Sequence, residues 1–124
     1  MIKSNFDILE RCINLTLGIV EISKRLKKAH QYVLADQVMR SAGSIGANVA
    51  EAQAARSSAE FESINNIALR EARETIYWLT VISRINVIDS QKIIRLKKEN
   101  QEISNIVAAI ILSSKRNRKN KKLR

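Results

Sequence analysis

The stretch ILERCINLTLGIVEISKRL, residues 8–26, decides the fold class. Its main apolar positions recur in alternating steps of four and three residues: Ile8, Cys12, Leu15, Ile19, Ile22 and Leu26. This spacing places them on one face of an α-helix, as in the seam of a helical bundle. We therefore predict a first helix over residues 5–28, with Ser4 or Asn5 as its N-cap.

Three further amphipathic segments follow along the chain. The second covers residues 34–55. The third begins at Ser57, where Ser57, Ser58, Ala59 and Glu60 match a capping box. The fourth begins at Asp89 or Ser90, either of which is a good N-cap. No proline and only three glycines occur in the 124 residues, which leaves little material for turns or strand corners. Because the connections are short, we predict an all-α, antiparallel up-down-up-down four-helix bundle over residues 1–114.

Two helices carry features that a simple monomeric bundle does not need. Gly43 and Gly46 interrupt the second helix, each at a cost of about 1 kcal/mol relative to alanine. They indicate either a closely packed neighbouring helix or space for a ligand or partner backbone. The predicted seam of the third helix consists of Phe61, Ile64, Ala68, Ala72, Thr75, Leu79 and Ile82. A second apolar stripe, offset from this seam, favours contact with another subunit. The predicted oligomer interface consists of Tyr77, Trp78, Val81 and Ile85.

Asn100 is a polar residue on the apolar seam of the fourth helix. Its neighbours on that seam step by three and four residues, so the position itself is expected to face the core. A polar residue there can fix helix register or oligomeric state at some cost in stability. Alternatively, it lies near a hydrated end of the bundle.

The net charge of +10 is concentrated at the end of the sequence. Residues 115–124, KRNRKNKKLR, contain seven bases and no acid, so we predict a basic, disordered tail. The candidate nucleic-acid ligands are Lys115, Arg116, Arg118, Lys119, Lys121, Lys122 and Arg124. They would contact phosphates without reading sequence, since no aromatic residue accompanies them. The other interpretation is a tail that only keeps the protein soluble. A smaller cluster, Lys24, Arg25, Lys27 and Lys28, either caps the first helix or binds phosphate.

The composition gives no support for an enzyme. Cys12 is the single cysteine and His30 the single histidine. These residues give no support for a structural zinc site, a Cys/His catalytic pair or a Ser/His/Asp catalytic triad. We expect no metal, cofactor or small-molecule substrate. The apolar run of residues 107–112 is far too short for a membrane span, and we expect no secretion signal. A cytoplasmic protein is the resulting prediction.

Two stretches together resemble a known family: RSAGSIGANVAEAQAARSSAEF at 40–61 and IALREARETIYWL at 67–79. The chain resembles the bacterial four-helix bundle family of 23S rRNA intervening-sequence proteins, also called S23 ribosomal proteins, over residues 33–111. It departs from many members at Ala52 and at Arg70-Glu71. The resemblance implies a homo-oligomer, a pentamer, with RNA binding suggested as its role. A more distant resemblance is to the basic pentameric bundles that accompany reverse transcriptases, which bind nucleic acid and protein.

A set of polar residues belongs to the matched motif. Its members are Arg40, Asn48, Glu51 and Arg56, with Glu71 and Glu74 as candidate partners. Arg40 and Glu51 are eleven residues apart, about three helical turns, and so lie on nearly one face. One interpretation is an ion-pair network that fixes assembly, and the other is a shallow groove that binds a partner. The leading hypothesis is a non-enzymatic, homo-oligomeric RNA- or DNA-binding accessory or scaffold. The alternative is a protein-interaction module using the Arg40–Glu51 groove.

Overall fold

A computed structural model of the chain describes residues 5–123. The described residues form helices α1 (Asn5–Lys28), α2 (Tyr32–Ala52), α3 (Ser58–Arg84) and α4 (Ser90–Lys122). Each helix packs against the next in the chain, and α4 closes the bundle against α1, whereas no Cα atoms of the diagonally opposed helices approach within 8 Å of each other among the described residues. The predicted antiparallel four-helix bundle is confirmed. The N-cap proposed at Ser4 lies outside the described residues.

The helix boundaries follow from local side-chain and backbone chemistry. The Ser57 hydroxyl accepts a hydrogen bond from the Glu60 amide at 3.1 Å, as the capping box predicts. The Asp89 carboxylate accepts one from the Gln91 amide at 3.2 Å and so begins α4. After α1, His30 has a positive φ of 63°, and the next amide returns to the carbonyl of Leu26 at 2.8 Å. A left-handed residue therefore ends α1 where a glycine is more usual.

The core is built from the predicted seams. All six seam positions of residues 8–26 are at most 3% exposed. In α3 the predicted seam is buried from Ala68 onward. Nearer its beginning, Glu62 and Asn65 are buried, while Phe61 and Ile64 are only partly buried. The prediction for this first part of α3 was wrong. Helix α4 supplies polar partners to Glu62, and the Asn65 amide donates to the Phe61 carbonyl of its own helix at 3.1 Å.

The two glycines of α2 have different surroundings. A Cβ on Gly46 would lie 3.0 Å from the Cβ of Cys12, so this glycine lets α1 and α2 approach closely. A Cβ on Gly43 would meet no atom within 4 Å. Packing within one chain thus explains Gly46 and leaves Gly43 unexplained.

Asn100 lies inside the bundle and not at a hydrated end. It is 0% exposed, and its Oδ1 accepts a long hydrogen bond of 3.4 Å from Ser104. Its Nδ2 has no hydrogen-bond partner among the described residues. The interpretation that Asn100 lies near a hydrated end of the bundle is therefore wrong.

The basic segment is not a disordered tail. Helix α4 continues without a break from the bundle to Lys122, so residues 115–122 are helical. Lysine and arginine are good helix formers, and cations at a helix C-terminus interact favourably with its dipole. The prediction of disorder was wrong because tertiary contacts, described below, add to this local preference. Arg124 lies outside the described residues.

Candidate functional site

Arg40 joins α2 to α3. Its guanidinium donates to the carboxylates of Glu71, at 3.3 Å, and of Glu74, and also to Gln37. The Trp78 indole nitrogen donates to the same Glu74 carboxylate at 2.9 Å. The ion-pair interpretation of Arg40 thus describes a network within one chain. Because Arg40 is half exposed, the network contributes modestly to stability.

The rest of the predicted polar motif does not gather around Arg40. The Asn48 amide donates to the carbonyl and hydroxyl of Ser44, at 2.8 and 3.0 Å, on its own helix. Glu51 and Arg56 are exposed and take part in none of the salt bridges formed within residues 5–123. The structure therefore brings together Arg40, Glu71 and Glu74 and leaves the other members apart.

The predicted interface residues divide between the core edge and the surface. Trp78 and Ile85 pack against the core, Val81 is partly buried, and Tyr77 is 60% exposed. The Tyr77 and Trp78 rings meet edge to face, with centroids 5.0 Å apart. Part of the second stripe is thus used within the chain, and Tyr77 is its exposed aromatic member.

A buried carboxylate holds the basic extension of α4 against α3. Glu62 is 4% exposed. It accepts hydrogen bonds from Arg118 Nη2 at 2.7 Å, from Arg118 Nε at 3.3 Å and from the Ser114 hydroxyl at 2.8 Å. The hydrogen bonds from Arg118 are the main reason why the pKa of Glu62 is lowered, and the positive charge of Lys115 adds to the effect. Arg118 therefore serves as an anchor, whereas the sequence indicated a free phosphate ligand.

Anchoring the extension creates a basic groove along the outer side of the α3–α4 contact. We call it the α3–α4 groove; it consists of two adjoining depressions of about 590 and 350 Å³ that share Leu69 and Arg73. The larger depression is lined by Ala59, Glu62, Ser63, Asn66, Leu69, Arg70, Arg73, Lys115 and Arg118. The smaller adds Ala72, Ile76, Gln101, Ser104, Asn105 and Ala108. Four basic residues and one acidic residue thus line a single concave surface.

Arg70 and Arg73 are the groove residues that the sequence reasoning missed. They follow Ser63 and Asn66 on one exposed face of α3, at steps of three, four and three residues. This polar helical stripe was visible in the sequence. The sequence did not reveal that this stripe belongs to a basic groove, because residues 36–89 have a net acidic balance and the facing bases lie some 40 residues further on.

No other feature of the described residues suggests a metal or membrane role. Within residues 5–123, no three His, Cys, Asp or Glu side chains are grouped as metal ligands would be. None of the helices there has an apolar stretch sufficient to cross a membrane.

The fold defines the chain as an all-α four-helix bundle with a basic groove and a basic helical extension at one end. The sequence model of the 23S rRNA-intervening sequence protein family matches residues 4–109, so the chain belongs to this family. A similar solved structure is that of a protein of unknown function from the S23 ribosomal protein family of Bacteroides thetaiotaomicron. It shares 34% identity and a TM-score of 0.80, over 84% of this chain and 97% of that one. No curated protein matches the chain.

Proposed function

We propose that this protein is a non-enzymatic, homo-oligomeric, cytoplasmic bundle that binds nucleic acid, RNA in particular, through the basic end formed by α4. The observation that carries the proposal is the charge of residues 115–124, which supply +7 of the net +10. Among the described bases of this segment, only Arg118 forms a salt bridge with an acid within residues 5–123. The remaining cations are exposed and available to phosphates.

A helical extension suits this role better than a disordered one. Residues 115–122 are ordered along α3 by the contact between Arg118 and Glu62, so less conformational entropy is lost when they meet a ligand. The family name refers to an insertion in 23S rRNA, which makes RNA the first nucleic acid to test. Binding through several copies of this end in an oligomer would add avidity.

The test is a mobility-shift titration of the full chain with a structured RNA across a salt series. We expect Lys119→Gln/Lys121→Gln/Lys122→Gln to weaken binding and to flatten the dependence of affinity on salt. The matched control is Arg95→Gln/Lys97→Gln/Lys98→Gln, which removes the same charge near the beginning of α4, at the opposite end of the bundle. Absence of RNA and DNA binding by the wild-type chain at low salt would rule the proposal out.

Self-association is tested separately, by light scattering at micromolar concentration. We expect a pentamer with a mass of about 70 kDa, five times that of the 14.1 kDa chain. A 14.1 kDa monomer would refute the oligomer. The exposed Tyr77 is the first interface residue to vary, with Tyr32, exposed at 53% near the beginning of α2, as the control position.

The alternative function, a protein-interaction groove around Arg40 and Glu51, has weaker support. Arg40 is already bound by Glu71 and Glu74, so its guanidinium is not free for a partner. A pull-down with Glu51→Ala separates the two functions. Loss of partner capture with RNA binding intact would favour the interaction module.

A further inference from the structure

The arginines of this protein fall into two groups with different surroundings. Arg11 and Arg40 each contact two glutamates, and Arg118 contacts Glu62. Arg70 and Arg73, in contrast, take part in none of the salt bridges formed within residues 5–123, although both are exposed beside the α3–α4 groove. The arginines that join helices are thus paired with acids, whereas Arg70 and Arg73, like the remaining arginines of the described residues, form no salt bridge there. Their position on the wall of the groove sets these two apart.

Lys115 completes a set of three such cations around the larger depression. It lines the same 590 Å³ space as Arg70 and Arg73 and belongs to no salt bridge within the described part of the chain. Like charges around one concave surface repel each other, and a bound anion relieves that repulsion. The carboxylate of Glu62 offsets this repulsion only in part, because its hydrogen bonds go to Arg118 and Ser114 and Lys115 forms no salt bridge with it.

The groove has the length and the donors that a nucleic-acid backbone requires. From Ser63 to Arg73 the exposed face of α3 advances by about 15 Å, at 1.5 Å per residue. Over that distance one strand of a duplex presents about four phosphates. Ser63 and Asn66 interleave hydroxyl and amide donors with the guanidinium groups, and such side chains commonly bind phosphate oxygens.

The lining chemistry also indicates what the groove does not recognise. Among the described residues that line it, none is aromatic, so there is no platform on which a base could stack. The apolar members, such as Leu69 and Ala72, form the floor between the two helices. Backbone phosphates, and not base edges, are the complementary ligand.

We propose that the α3–α4 groove is a sequence-independent binding site for the phosphodiester backbone of a nucleic acid, with Arg70, Arg73 and Lys115 as phosphate ligands. Arg118 is a positioning residue, which acts by holding Lys115 and the end of α4 beside α3. This inference rests on the proposed function and assigns it a site on the bundle itself. It differs from the proposed function in requiring α3, which lies outside the basic segment.

The test compares the wild-type chain with Arg70→Gln/Arg73→Gln in a salt series from about 50 to about 200 mM, using a short RNA duplex and a DNA duplex of the same sequence. We expect the double variant to lose about tenfold or more in affinity at low salt. The slope of log affinity against log salt should fall in magnitude by about 1.8, corresponding to two phosphate contacts on a duplex. Lys115→Gln alone should lower the magnitude of the slope by about 0.9.

The matched control is Arg95→Gln/Lys98→Gln, which removes two charges from exposed positions near the beginning of α4 that do not line the groove. It should leave the slope unchanged. Because Arg70 and Arg73 are exposed and unpaired, the groove variant should keep the wild-type urea midpoint, which shows that its fold is intact. Equal binding of two unrelated RNA sequences is also expected.

The outcomes separate this inference from the proposed function. If the wild type binds RNA and the groove variant retains its affinity and slope, the groove is refuted and the basic extension alone remains as the site. If polyglutamate competes as well as RNA does, the groove takes an acidic protein surface and the inference is wrong. If the wild type binds neither duplex at low salt, the proposed function fails, and the inference fails with it. If the wild type binds the RNA duplex more tightly than the DNA duplex, RNA is the nucleic acid whose backbone the groove binds.

Discussion

Arg118 of α4 and Glu62 of α3 form a forked pair, in which Nη2 and Nε donate to the two oxygens of one buried carboxylate at 2.7 and 3.3 Å. The Ser114 hydroxyl, one helical turn before Arg118, donates to the same carboxylate. Two donors on successive turns of α4 thus converge on one acceptor. The pair holds the basic extension in place and thereby defines one wall of the α3–α4 groove.

Removing the carboxylate should release the extension. In Glu62→Gln the neutral amide no longer attracts Arg118, so we expect faster tryptic cleavage after Lys115, Arg116 and Lys119 than in the wild type. The matched control is Glu60→Gln, which removes an exposed acid from the same helix. Equal cleavage rates for the wild type and Glu62→Gln would show that the pair does not hold the extension.

The same pair makes the extension sensitive to acid. The folded-state pKa of Glu62 is lowered, so its stabilising effect is complete above the unfolded-state pKa and is lost as the pH falls through the folded-state value. We expect amide protons of residues 115–122 to exchange faster, relative to those of α1, as the pH drops below about 4. In Glu62→Gln this additional pH dependence should be absent.

Arg11 should be important for closing the bundle. It donates to Glu99 at 2.8 and 3.0 Å and to Glu102 at 2.7 Å, and it joins α1 to α4 where helix contact is least extensive. We expect Arg11→Leu to lower the free energy of unfolding by about 1 to 2 kcal/mol, since a charge-assisted fork is lost and two carboxylates are left together. Urea denaturation measures this. Arg11→Lys, which keeps the charge without the fork, should lose about half as much; full stability of Arg11→Leu would contradict the prediction.

The two glycines of α2 form a matched pair for a packing test. Gly43→Ala should raise the free energy of unfolding by about 1 kcal/mol, because the new methyl group meets no atom and alanine favours a helix. Gly46→Ala should instead lower it by about 1 kcal/mol or more, because its methyl group would press on Cys12 and separate α1 from α2. Thermal unfolding of both variants checks the opposite signs. If Gly43→Ala destabilises the protein, α2 meets another subunit at that point.

Cys12 should be unreactive in the folded protein. It is 1% exposed, and burial raises the pKa of its thiol to about 11. At pH 8 only about one thiol in a thousand is therefore ionised, and a labelling reagent in solution has little access to the buried Cys12 sulfur. We expect labelling by a disulfide reagent at pH 8 to be slow in buffer and rapid in denaturant. Rapid labelling in buffer would show that α1 opens frequently from the bundle.

Much of the fold was predictable because helical periodicity is a local property. The alternating steps of residues 8–26 predicted every buried position of that seam, and Ser57 with Glu60 marked the beginning of α3. The ion pairs of Arg40 with Glu71 and Glu74 correspond to one of the two interpretations of the polar motif, the other being a groove that binds a partner. Each of these patterns involves residues that are a few turns apart on one helix or that face each other on two neighbouring helices.

By itself, the sequence determined the helices, their caps, the main seams and the position of the excess charge. Only the tertiary structure decided that Glu62 is buried, that residues 115–122 continue α4, and that Arg70 and Arg73 face Lys115 across one groove. The physical reason is that these facts depend on which helices are neighbours and on their offset along the bundle axis. A carboxylate on a helix looks like a surface residue until an arginine 56 positions away reaches it.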